Sequence, residues 1–163
     1  EGLTRISSKM FCGCEFTSLE IPNGVEYIDD EAFRFCEKLN SVTIPESVKW
    51  IGEDAFSLCD GLKTVVWNAR NCNIPEAVGY GSPIGLDGVD PRRCITSISF
   101  GDSVEYIPAE VCQDATGLVS VTIGKNVKEI GKYAFEGCDR LRNVTIGRGV
   151  TVIESYLFLQ HFL

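Results

Sequence analysis

A 23-residue period governs this chain and limits the folds open to it. The apolar series Val25, Ile28, Ala32, Phe33, Cys36, Leu39, Val42 and Ile44 returns 23 residues later as Val48, Ile51, Ala55, Phe56, Cys59, Leu62, Val65 and Trp67. A second register runs through Val104, Ile107, Val111, Cys112, Ala115, Leu118, Val121 and Ile123, and again 23 residues on at Val127, Ile130, Ala134, Phe135, Cys138, Leu141, Val144 and Ile146. The pattern extends to Val150, Ile153, Leu157 and Phe158, and is preceded by a unit one residue shorter containing Ile6, Met10, Phe11, Cys14, Phe16, Leu19 and Ile21. A unit this short cannot bury its own apolar face. Stacking neighbouring units is what creates a core, so the period predicts a solenoid of about six rungs.

Within a unit, Ser41-Val42-Thr43-Ile44 and its equivalents alternate polar and apolar residues, as half-buried strands do. Proline or glycine closes each strand, and a second short extended run follows, such as Val48-Lys49-Trp50-Ile51. Acidic residues then precede an Ala-Phe pair in Gly52-Glu53-Asp54-Ala55-Phe56, which predicts one helical turn whose dipole they complement. Glu26 stands 23 residues before Lys49, and Glu105 stands 23 before Lys128, so opposite charges face each other between adjacent rungs. Between the two registers Trp67 corresponds to Phe100, a step of 100 − 67 = 33 residues. The ten extra residues predict an irregular insertion over 68–93, protruding from one rung of an otherwise single solenoid spanning 1–163.

Written out from Leu39 to Cys59, the unit reads Leu-x-x-Val-x-Ile-Pro-x-x-Val-x-x-Ile-x-x-x-Ala-Phe-x-x-Cys. This resembles the BspA-like leucine-rich repeat family, the 23-residue class of bacterial and protist surface and secreted proteins. The resemblance implies an α/β, β-rich solenoid: a right-handed coil with one parallel sheet, short second strands and short helical turns. It also implies an interaction scaffold at the cell surface or secreted, with partners of the extracellular-matrix or plasma-protein type, and it transfers no catalytic residues. Cys112 departs from the pattern at a Phe position, and Ala115 and His161 depart at Cys positions. The last rung stops short at Leu163 without a polar capping unit, so we expect a fragment of a longer array, or a covered end.

The chain carries 15 Lys+Arg against 23 Asp+Glu, a net charge of −8. That sign, with no basic cluster against it, argues against nucleic acid and anionic membrane as partners. No apolar run approaches the roughly 20 residues of a membrane helix. Cys14, Cys36, Cys59 and Cys138 share one repeat position, so they form a column; it reads either as buried small hydrophobes or as a metal or redox ladder. Cys72 and Cys94 flank the insertion and are candidates for a disulfide clip. His161, the only histidine, lacks an evident nucleophile. Carboxylates such as Asp29-Asp30-Glu31 recur as a solvated face, and neither a catalytic pair nor a cofactor is expected.

Two surfaces remain as binding candidates. One is the outward face of the main sheet, including Thr43, Ser99, Thr122 and Thr145, small side chains that leave room for an extended partner or are merely tolerated there. The other is the aromatic line Tyr27, Trp50 and Tyr106 with Tyr80 of the insertion, which suits a binding hot spot or rungs stacked on one another. The expected function is a non-enzymatic binding module engaged in adhesion to host proteins or other cells; the competing reading is a spacer that presents another domain.

Overall fold

The structure is a computed structural model and describes residues 2–76, 82–87 and 95–157. These form twelve strands in chain order: β1 (Arg5–Ile6), β2 (Ser18–Glu20), β3 (Tyr27–Ile28), β4 (Ser41–Ile44), β5 (Trp50–Ile51), β6 (Thr64–Trp67), β7 (Ser97–Phe100), β8 (Tyr106–Ile107), β9 (Ser120–Ile123), β10 (Glu129–Ile130), β11 (Asn143–Ile146) and β12 (Val152–Ile153). The alternation of residue types becomes an alternation of burial: in β4, Val42 and Ile44 are buried while Ser41 and Thr43 are partly exposed. β2, β4, β6, β7, β9 and β11 pair in that spatial order as one six-stranded sheet, and the pairs are parallel throughout. Six rungs therefore stack as the period predicts.

The short strands line a second side, pairing as β1-β3-β5 and β8-β10-β12. Asn73 continues the first group, with a parallel bridge to Trp50. Its N–H donates to the Lys49 carbonyl at 2.9 Å, and its own carbonyl accepts from Ile51 N–H at 3.1 Å. Asn73 lies 23 residues after Trp50, so the insertion begins in register.

The third side corrects the expectation of short helices. Among the described residues there is no helix; instead five coils run through turns with two left-handed residues four apart. These are Lys9 and Gly13, Glu31 and Phe35, Asp54 and Leu58, Glu110 and Asp114, and Tyr133 and Gly137, with φ between 54° and 73°. A helix needs consecutive right-handed residues, and a left-handed one every fourth position ends it, at about 1–2 kcal/mol for each residue bearing a Cβ. Hydrogen bonds between coils offset that cost: Glu31, Phe33 and Phe35 donate to the carbonyls of Glu53, Ala55 and Ser57 at 2.9, 2.9 and 3.0 Å. The acidic residues thus work across coils: Asp30 Oδ1 accepts Glu53 N–H at 3.0 Å.

The described parts of the insertion, 68–76 and 82–87, are laid into the stack. Asp54 and Phe56 donate to Pro83 and Ile84 carbonyls at 3.1 and 3.0 Å, and Ser82 Oγ donates to the Val111 carbonyl at 2.7 Å. Ala69, Cys72, Ile84 and Leu86 are buried. Ile84 occupies the Ala position of an additional turn, 29 residues after Ala55 and 27 before Val111. By this register six of the ten extra residues precede Ile84 and four follow it. Gly85 (φ 78°) is required there, because a Cβ would lie 2.5 Å from Ser57 Cα.

The core follows the same logic. Phe11, Phe33 and Phe56 stack with centroids 5.5 and 5.3 Å apart and planes at 8°. The column then narrows at Gly85 and Cys112 before Phe135. Beside the narrowing, the sheet position held by Ile44 and Ile123 is filled by buried Trp67 and Phe100. Their rings lie 6.1 Å apart, and Phe100 reaches Phe135 at 6.2 Å.

Candidate interaction surfaces

The outward face of the six-stranded sheet consists of two rows in strict register. One row is Ser18, Ser41, Thr64, Ser97, Ser120 and Asn143; the other is Glu20, Thr43, Val66, Ser99, Thr122 and Thr145. Rungs recur at about 4.8 Å, so each row presents a small polar group at nearly every step. Glu20 is the one charged residue among the twelve. Ser97 Oγ donates to Thr64 Oγ1 at 3.3 Å, linking neighbours along a row. Short side chains lose little rotamer freedom when covered, which makes the face inexpensive to bury against a polar partner.

The aromatic line divides into two parts. Tyr27 pairs with Trp50 on adjacent strands, and the Arg5 guanidinium sits 4.4 Å from the Tyr27 ring centre, a cation–π contact. Asn73 then takes the next rung and separates this pair from Tyr106. Tyr106 lines a cleft of about 390 Å³ with Ile74, Pro75, Pro108, Lys132 and Tyr133. Burial raises the Tyr106 phenol above its usual range, against the opposing hydrogen bond from the Ala109 backbone. Tyr133 stacks on Tyr156 at 5.3 Å, and Lys132 Nζ lies 4.5 Å over the Tyr133 ring. Sequence reading missed Tyr133 and Tyr156; their 23-residue spacing was the available signal, hidden by assigning that stretch to a helix. Tyr80 and His161 lie outside the described residues.

Cys36, Cys59 and Cys138 are buried, and Cys14 is partly so. Their thiols act within the stack: Cys36, Cys59 and Cys138 donate to the carbonyls of Phe11, Phe33 and Cys112 at 3.1, 3.1 and 3.3 Å. The Cys59 thiol is raised by its hydrogen bond to Cys36 and by burial. Among the described residues no three His, Cys, Asp or Glu converge as a metal site would require. Burial pushes the Cys72 thiol up to about 12; Cys94, the other half of the expected clip, lies outside the described residues.

A row of ion pairs runs along the edge between the six-stranded sheet and the short strands. Glu26 meets Lys49 at 2.7 Å, as the spacing predicts, and Glu105 meets Lys128 at 3.7 Å. Arg70 joins Glu46 at 2.6 Å and Glu105 at 3.4 Å, and Lys125 meets Asp102 at 2.9 Å. The hydrogen bond from Lys125 holds Asp102 below the usual carboxylate range. These carboxylates are committed to cations, and the arrangement reads as a ladder that fixes rung register.

A parallel stack of short strand–turn units with a polar outward face and an apolar interior defines a leucine-rich-repeat-type solenoid. A BspA type leucine-rich repeat region matches in six copies over residues 4–80 and 92–162, and the chain belongs to that family. Two solved structures resemble it: the leucine-rich repeat protein of T. pallidum, with a TM-score of 0.63 and 25% identity over 92% of this chain and 66% of that one, and a leucine-rich repeat protein from Eubacterium ventriosum, with a TM-score of 0.72 and 25% identity over 96% of this chain and 40% of that one. The chain thus spans less than two thirds of their lengths. No curated protein matches it. The family is one of repeat modules of bacterial surface type, which makes this an interaction or repeat module.

Proposed function

We propose that the protein is a non-enzymatic binding module, displayed at a cell surface or secreted, that adheres to a host matrix or plasma protein or to another cell through the outward face of its six-stranded sheet. The observation that carries this reading is the pair of outward rows that cross all six strands and are polar at every step but Val66. Thr43, Ser99 and Thr122 sit near the middle of one row, where a partner crossing several rungs must touch them. The Tyr106 cleft is a second contact surface, at the opposite flank of the coil.

The test is adhesion of the purified protein to immobilised fibronectin, fibrinogen and whole cells, before and after the triple change Thr43→Arg, Ser99→Arg and Thr122→Arg. These outward-facing positions, partly exposed at Thr43 and Ser99 and exposed at Thr122, accept long side chains without disturbing the core, so the melting temperature should hold while adhesion drops at least tenfold. Retained adhesion with Trp50→Ala and Tyr106→Ala defective would move the site to the aromatic side. No adhesion by the parent would favour a spacer that holds another domain in place.

A further inference from the structure

Two apolar residues occupy left-handed backbone on the surface of the turn side: Phe35 at φ 61° and Leu58 at φ 58°. In three other coils this place belongs to Gly13, Asp114 and Gly137, which enter that region most readily. Phe35 is 46% exposed and Leu58 partly exposed, so core packing is not what selects bulky side chains here. The two stand on adjacent coils, joined by the 3.0 Å hydrogen bond from Phe35 N–H to the Ser57 carbonyl. The Arg34 guanidinium lies 5.1 Å from the Phe35 ring centre and is tied to Glu31 at 2.7 Å, which backs the ring from one side and leaves the rest open. Strained backbone carrying exposed apolar groups points to use of those groups.

The surrounding charge specifies the partner. Residues 29–60 hold three Lys+Arg and eight Asp+Glu, 3 − 8 = −5, whereas residues 117–163 hold six and four, 6 − 4 = +2. The negative charge of the chain is thus concentrated on the coils that carry Phe35 and Leu58. Glu37 and Glu53 are exposed there, and the cations beside them are engaged, Arg34 by Glu31 and Lys38 by Glu15. We infer that Phe35 and Leu58 form a docking point for an apolar side chain flanked by Lys or Arg on a partner polypeptide. The apolar group packs across the two side chains, and the basic flanks approach Glu37 and Glu53. This surface faces away from the hydroxyl rows, so the inference stands or falls independently of the sheet-face adhesion.

The experiment uses three synthetic fluorescent peptides: a Trp or Leu flanked by two lysines on each side, the same peptide with Gly at the centre, and the same with glutamates in place of lysines. Binding is followed by fluorescence anisotropy at low and high salt. The lysine-flanked apolar peptide should bind at least tenfold more tightly than either control. Phe35→Gly with Leu58→Gly should remove that preference while the melting temperature stays within about 2–4 °C of the parent or rises, as relief of strain would have it. Glu37→Gln with Glu53→Gln should weaken binding severalfold and flatten its salt dependence. Equal binding of the Gly-centred peptide, or unchanged binding by the glycine variant, would overturn the inference. So would a melting temperature lowered well beyond that range in the glycine variant, which would make the two side chains structural.

Discussion

The first three coils and the junction at the insertion solve the same packing problem differently. In the first, Phe11, Phe33 and Phe56 form a stack on the turn side, with Ile21 and Ile44 at the sheet position of the first two coils and Trp67 only in the third. At the junction the turn side shrinks to Gly85 and Cys112, and the sheet side grows to Trp67 and Phe100. What the stack keeps from rung to rung is filled volume, not residue type at a given position, because an interior packed at crystal-like density tolerates neither void nor excess. That is why Cys112 can break the repeat pattern without breaking the fold.

This comparison can be broken experimentally, starting at the stack. Phe33→Ala removes a buried ring between two others and should cost about 3–5 kcal/mol in urea unfolding. An effect under about 1 kcal/mol would mean that the column is not the core it looks like. At the junction, buried Cys72 gives a pH signature. Its thiol titrates near 8.5 when unfolded and at about 12 when folded. Its contribution is therefore complete below pH 8.5 and is lost as pH rises toward 12, on the order of 5 kcal/mol. Unfolding of the reduced protein should show this alkaline loss, and Cys72→Ala should remove it. A non-reduced protein lacking the loss would point to the Cys72–Cys94 disulfide.

Restoring the repeat residue sharpens the comparison directly. Cys112→Phe should destabilise by about 1–3 kcal/mol, because Phe100 already occupies the adjoining space, and Phe100→Ile in the same chain should recover much of it. Additive losses would show that the two positions do not share volume. The smallest effect concerns Trp67, whose buried Nε1 has no partner among the described residues. Trp67→Phe trades lost contact area against removal of an unsatisfied donor, so stability should change by less than about 1 kcal/mol.

Much of the architecture was legible because its determinants are local and repeated. The alternation in Ser41-Val42-Thr43-Ile44 set inward and outward faces, and the 23-residue offset set which residues pair, Glu26 with Lys49 among them. The turn side misled because an acid-rich run before Ala-Phe suits a helix start, while the left-handed conformation of Glu31, Asp54 and their equivalents depends on hydrogen bonds from a neighbouring coil. The insertion misled likewise: Ile84 and Leu86 show no period with their neighbours, yet they fill an apolar slot that adjacent coils leave open. Of the candidate surfaces, the hydroxyl rows were readable residue by residue. The break of the aromatic line at Asn73 was hidden within a segment assigned to a loop, and the Tyr106 cleft depends on how 72–76 folds back beside Pro108.

The sequence by itself determined the period, the strand faces, the rung count and the family, since each follows from residue types at fixed spacing. Only the tertiary structure decided how the turn side is bonded, where the ten extra residues go and how volume is shared between Trp67, Phe100 and Cys112. Those outcomes rest on contacts between coils, where a residue's conformation is set by what the next rung offers, and no single rung contains that information.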